Sequence, residues 1–342
     1  MRPRTVPAAA VIAGLVLILA LALAAPGAAS GSSLPSVTSG ARPGPNLLYA
    51  APATAPQLEN TGVWKAPPIL VSGAEAYRDG EFLYQDYLYD DYGGAGTPDP
   101  SDPFNPAANA FSPNHGTLTY PTNTAVYGNN AADLVEFRVK PLADATAFRV
   151  TLNTMLDPRV VAFTVALGDS PVEHPWPFGV GVTSSAPYFL TVQGGTGALT
   201  DASTGAVLTP APTVSVDQAR RQIQVLIPHA AWNPGRSIVR MEMGTGLWDA
   251  SAGTYLKPTP VASATQPGGA SSDEEAIFNL AFRTQEPVPH IYEPGTANTF
   301  AEGSVLVKED GSWWRERDQA DALAGGDVSQ FSAEVDFARL LV

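Results

Sequence analysis

The sequence predicts an all-β protein, a two-sheet antiparallel β-sandwich. Short runs alternate apolar and polar residues with a period of two. Loops bearing Gly and Pro separate these runs, with Gly 31 and Pro 32 in a chain of 342 residues. No amphipathic stretch of a dozen residues falls between them, as a βαβ fold would require.

Val135, Phe137 and Val139 alternate with Glu136, Arg138 and Lys140, which gives the segment one apolar and one charged face, the pattern of a half-buried strand. After a turn at Pro141 to Asp144, Phe148, Val150 and Leu152 alternate with Arg149, Thr151 and Asn153. The short connection makes the two segments an antiparallel hairpin whose apolar faces share one core. Further runs lie at Val161 to Leu167, Tyr188 to Val192, Thr213 to Asp217, Gln222 to Pro228, Ser237 to Met243 and Glu275 to Phe282. In the Gln222 run, Ile223, Val225 and Ile227 oppose Gln222, Gln224 and Leu226. Ser332 to Leu341 reads as a short closing helix or strand.

Ahead of these runs, residues 1–29 have the layout of a secretory signal peptide. Arg2 and Arg4 precede an apolar run from Val6 through Ala25, broken by Pro26 and followed by the small residues Gly27, Ala28 and Ala29. An uncleaved membrane anchor is the other reading, since Ala8 to Ala25 is 18 residues, at the threshold of a span. Either way the remainder is expected outside the cytoplasm, secreted or at the cell surface, with membrane contact only through an uncleaved N-terminal helix. Residues 30–65 consist mainly of Gly, Ser, Pro, Ala and Thr with almost no charge, the composition of a flexible tether. Residues 66–342 are left for the sandwich domain.

Acids number 33 against 19 bases, a net charge of −14, which argues against a nucleic-acid partner because phosphates are gripped by Lys and Arg. With 44% apolar and 15% charged residues, the chain can bury a sizeable core. The absence of cysteine removes disulfides, thiolate metal sites and cysteine nucleophiles. The G-x-S-x-G elbow, the H-E-x-x-H pair, the G-x-x-x-x-G-K cradle and the G-x-G-x-x-G turn are absent too. His115, His174, His229 and His290 sit in separate segments, with no spacing that would present two of them to one metal. These absences count against the enzyme classes that carry strong signatures.

Two groups of residues invite ligands. Asp86, Asp90, Asp91, Asp99 and Asp102 are interleaved with Gly93, Gly94 and Gly96, and Asp133 opens the first clear strand. Calcium takes six to eight oxygens in adaptable geometry, so Asp90, Asp91 and Asp133 are candidate ligands for a structural Ca2+. The spacing is not that of an EF-hand, and solvated loop charges remain the other reading. Aromatic residues form the second group: Tyr84, Tyr87, Tyr89 and Tyr92 crowd the acidic loop, and Trp64, Trp176, Trp232, Trp248, Trp313 and Trp314 are spread along the chain. Flat rings stack on the C–H faces of sugars while nearby polar groups take the hydroxyls. Trp176 in His-Pro-Trp-Pro and Trp248 in Gly-Leu-Trp-Asp are the candidate ligand-binding residues, because turn residues flank them.

Leu88-Tyr89-Asp90-Asp91-Tyr92-Gly93, Gly116-Thr117-Leu118-Thr119-Tyr120-Pro121-Thr122-Asn123, Ala132 to Val139 and Phe148 to Leu152 follow one another in an order that resembles the C-terminal module of glucodextranase. Gln224-Val225-Leu226-Ile227-Pro228 and Trp232-Asn233-Pro234-Gly235 resemble its later strand and loop. That module is related to DOMON-like and family-nine carbohydrate-binding sandwiches, and the similarity runs over roughly residues 66 to 285. The resemblance implies a noncatalytic β-sandwich carried by secreted carbohydrate-active enzymes, with polysaccharide or cell-wall glycan as partner, and it supports Asp90, Asp91 and Asp133 as metal or loop-fixing residues. The stretch from Gly94 to Pro113 is a long insertion relative to the module's pattern. The alternative is an accessory N-terminal part of a secreted α/β-hydrolase, an esterase or peptidase, since the chain resembles the front half of longer actinobacterial proteins of that kind. A haem- or redox-binding DOMON-like domain would instead need an axial His or Met, with Met155, Met241 and Met243 as candidates.

Overall fold

The computed structural model describes residues 59–69, 73–86, 91, 93, 118–128, 130–273, 275–282 and 331–341, with the backbone alone at 71–72, 288–289, 306–307 and 313–314. The expected signal or anchor at 1–29 lies outside the described residues, as do residues 30–58 of the tether. Among the described residues no helix is long and apolar enough to cross a membrane.

In chain order the main strands are β1 (Ala74–Arg78), β2 (Glu81–Gln85), β3 (Leu134–Pro141), β4 (Ala145–Leu152), β5 (Val161–Leu167), β6 (Tyr188–Gln193), β7 (Thr196–Asp201), β8 (Thr213–Asp217), β9 (Gln222–Pro228), β10 (Ile238–Asp249), β11 (Thr254–Tyr255), β12 (Asn279–Leu280) and β13 (Ser332–Asp336). The first sheet has the order β8-β9-β4-β3-β2-β1. The second runs β7-β6-β5-β10, and the free side of β10 pairs in succession with β13, β12 and β11. Every pairing within both sheets is antiparallel, and the two sheets pack face to face as a sandwich.

Alternation locates several strands to the residue: Val161–Leu167, Thr213–Asp217 and Gln222–Pro228 are strands over the spans their patterns predict. The expected hairpin is β3–β4, with Phe137 opposite Val150 and Val139 opposite Phe148. Three expectations change. The Ser237 run continues to Asp249 and becomes the longest strand. Glu275 to Phe282 contributes only the two residues of β12. The closing segment is both strand and helix, with α-helical Phe337–Leu340 started by the Asp336 side chain, which accepts the Ala338 amide proton at 2.9 Å.

Inward-facing Phe82, Phe137, Phe148, Phe163, Leu190 and Met243 belong to one core between the sheets. The outward faces are covered as well, which corrects the reading of the Val135 segment as half-buried. Glu136, Arg138 and Arg149 point away from the core yet are closed off from solvent. Residues 59–69 lie over them, so packed structure begins before residue 66. Trp64 is 1% exposed, its indole N–H donates to Gln224 Oε1 at 2.8 Å, and the Arg149 guanidinium sits 5.3 Å from its ring centroid. Beneath it, Arg138 forks onto both oxygens of Glu136 at 2.7 Å and reaches Glu81 at 2.9 Å, while Arg149 meets Glu136 at 2.7 Å. Two acids and two arginines thus pair under a strap of backbone, and Lys140 reaches Glu81 at 3.1 Å from the edge of the group. Burial pushes the Glu81 carboxyl up, but the Lys65 amide, Arg138 and the Ala66 amide outweigh it and hold the group below its usual value.

The outer face of the second sheet is apolar instead. Ala162, Ala166, Phe189, Trp176, Ile277 and Phe331 form a second cluster there. Gly246 on β10 lets the chain at Ala276 approach, because a Cβ built on it would stand 2.3 Å from the Ala276 carbonyl oxygen.

Candidate functional site

Leu247 faces the core, so Trp248 on β10 projects to the other side, between Phe178 and Tyr255 with ring centroids 5.7 Å from each in edge-on geometry. It is 7% exposed and lines a cleft of about 470 Å3. Next to it Asp249 closes a turn: its Oδ1 accepts the Ser251 amide at 2.8 Å, the Ser251 hydroxyl at 2.6 Å and the Ala252 amide at 3.1 Å. These donors hold its carboxyl below the ordinary aspartate value.

The facing wall comes from the turn before β5. Asp157 caps the 3-10 turn Pro158–Val160 by accepting the Arg159 amide at 3.0 Å, and it pairs in parallel with the Arg159 guanidinium at 2.9 and 2.7 Å. The Arg159 side-chain contacts come first among the causes that lower the Asp157 pKa. Arg159 itself stays 81% exposed. Tyr127, at the end of the four-residue helix Thr124–Tyr127, and Gln266, whose amide donates to the Lys257 carbonyl at 2.9 Å, complete the lining with Leu256. Burial raises the Tyr127 phenol pKa, and the charges of Asp249 and Asp157 raise it further. The cleft therefore offers two ring edges, an apolar floor and several hydrogen-bonding groups.

The other tryptophan singled out by sequence is placed differently. Trp176 is 3% exposed, its N–H donates to Ser184 Oγ at 3.0 Å, and its ring packs on Phe189, so it supports the apolar cluster to which Trp248 also belongs. Flanking turns did not expose it because the loop over residues 174–184 folds down onto the sheet.

Of the candidate calcium ligands, Asp90 lies outside the described residues. Asp91 and Asp133 are both buried. Asp91 accepts the Tyr120 hydroxyl proton, that hydroxyl accepts the Ala132 amide at 3.0 Å, and Asp133 accepts from Asn153 Nδ2 at 2.7 Å. Burial, then the Asp91 charge, pushes the Tyr120 phenol well up, and the charge of Asp133 adds to it. Among the described residues no group of three or more His, Cys, Asp or Glu side chains is arranged to hold a metal ion. Met155, Met241 and Met243 are buried in the central core.

A second cleft of about 540 Å3 lies at the opposite end of the β5–β10 pair, lined by Tyr188, Trp232, Ile238 and Arg240. There the Trp232 ring packs on Phe148 and Phe337, and Arg240 faces Asp169 and Glu242.

Tyr127, Asp157, Arg159 and Gln266 were not legible as site residues, since three separate loops bring them together. Asp249 carried a signal, directly after the singled-out Trp248 and two residues before a serine. No family model matches this chain, and no curated protein matches it.

Proposed function

We propose that this protein is a noncatalytic module, secreted or held at the cell surface, that binds carbohydrate or cell-envelope polysaccharide at the Trp248 cleft. One observation carries the reading: a tryptophan at the end of β10 lines a cleft with Tyr127, Asp157, Arg159 and Gln266 around it. Its volume lies within the range of small-ligand sites, and its mixture of ring, aliphatic and hydrogen-bonding groups suits the two-sided chemistry of a sugar. The ordered succession of segments resembling the glucodextranase C-terminal module points the same way, as does the sandwich itself. Retention on insoluble α-glucan, cellulose and purified cell wall tests it. Gln266→Ala and Arg159→Ala, both on loops, should weaken retention while leaving the circular dichroism spectrum intact; failure to be retained on all three materials contradicts it.

A structural calcium ion at Asp90, Asp91 and Asp133 is a separate proposal, supported by the all-oxygen character of the three side chains and by the burial of Asp91 and Asp133. A native-state ligand raises the melting temperature, so calcium should raise it and chelator should lower it. An unchanged midpoint assigns Asp91 and Asp133 to hydrogen bonding alone.

A further inference from the structure

We infer that the Trp248 cleft selects uncharged glycan, or glycan bearing amino groups, and turns away polymers carrying phosphate or uronate. This rests on the carbohydrate-binding reading and narrows its ligand class.

The charges lining the cleft decide the matter. Asp157, Arg159 and Asp249 are its charged residues, and they leave it with an excess of one negative charge. Arg159 is the only cation among them, and one edge of its guanidinium is committed to Asp157, through Nε at 2.9 Å and Nη2 at 2.7 Å. An incoming phosphate or carboxylate would meet a cation whose charge Asp157 already balances, with the charge of Asp249 left over against it. The Oδ1 of Asp249 is held by three uncharged donors from the turn that follows. Both acids remain ionised at neutral pH, since their hydrogen bonds favour the charged form. Tyr127, Trp248 and Gln266 carry no net charge and serve a neutral sugar without penalty. The chain as a whole, at −14, adds a field of the same sign.

Asp249→Asn isolates the effect, because an asparagine Oδ1 can still accept the three turn hydrogen bonds while the charge is gone. Affinity electrophoresis through gels holding a neutral polysaccharide, a partly deacetylated chitin, or a uronate or teichoic-acid polymer gives the readout. At low ionic strength the wild type should be retarded by the neutral and amino-bearing gels at least tenfold more strongly than by the anionic ones. Asp249→Asn should shift the anionic-to-neutral ratio upward by about threefold, the effect of removing one unit charge several ångströms away in water. Added salt at 0.5 M should narrow the wild-type ratio, as screening shortens the reach of charge. Stronger retardation by the anionic gels, or a ratio unmoved by Asp249→Asn, overturns the charge selection while leaving carbohydrate binding standing. No retardation in any gel overturns both.

Discussion

The centres of the two sheets' outer faces are both covered, but by opposite chemistry. On the first sheet Glu81, Glu136, Arg138 and Arg149 pair under Trp64 and the backbone of residues 59–66. On the second, alanines and aromatic rings are covered by Trp176, Ile277 and Phe331, with glycine where the chain comes closest. A salt-bridged face tolerates little, because removing one partner strands another charge out of water, whereas an apolar face fails by overfilling or cavity formation. Alternation of charged and apolar residues therefore does not by itself mean that one face meets solvent; complementary charges on neighbouring strands can close that face too.

The largest expected effect breaks the first face. Arg138→Ala takes the shared guanidinium from both buried acids, leaving Glu136 with Arg149 alone and Glu81 with Lys140 as its cation, and should cost about 3–5 kcal/mol in urea unfolding. Replacing Glu81, Glu136, Arg138 and Arg149 together by apolar residues of similar size should cost much less than that single change; an equal or larger loss would show that the network stabilises outright. On the second face, Gly246→Ala drives a methyl into the Ala276 carbonyl, and about 1–3 kcal/mol is expected by the same measurement. Smaller again, Trp64→Phe and Trp176→Phe each remove one indole hydrogen bond, to Gln224 and to Ser184, at about 1 kcal/mol apiece.

The subtlest difference is one of pH. Glu81 is held below its usual value, so its contribution is complete above about pH 4.5 and is lost as pH falls through its folded-state value. Tyr255, buried under the second face with its hydroxyl 2.9 Å from Thr164 Oγ1, has its pKa raised above 10, so its contribution is complete below that pH and is lost on the alkaline side. Denaturation midpoints against pH should lose part of the acid slope in Glu81→Gln and part of the alkaline slope in Tyr255→Phe. Slopes unchanged in both would remove the distinction.

Much of the sandwich is legible in the sequence because a strand's period of two survives wherever one side faces the core, as at Val161–Leu167 and Gln222–Pro228. What alternation misses, turn chemistry supplies. Asp79-Gly80, with φ of +49° and +72°, joins β1 to β2, and Gly194-Gly195 joins β6 to β7, yet β1, β2 and β7 have weak patterns of their own. The cleft is less legible. Trp248 is marked by its flanking residues, but Tyr127, Asp157 and Gln266 gather only once the fold is made, from positions 30 and 109 residues apart along the chain. Trp176 carries the same local mark as Trp248 and ends in the apolar cover, because burial depends on what folds over a residue and not on its immediate neighbours.

Whether the Trp248 cleft grips glycan is tested most directly by affinity electrophoresis of the wild type beside Gln266→Ala and Trp248→Ala in neutral polysaccharide gels, with unfolding midpoints recorded for all three. Retardation of the wild type, lost in folded Gln266→Ala as well as in Trp248→Ala, is the expected result. Equal retardation of all three proteins, or none for the wild type in any gel, would contradict it.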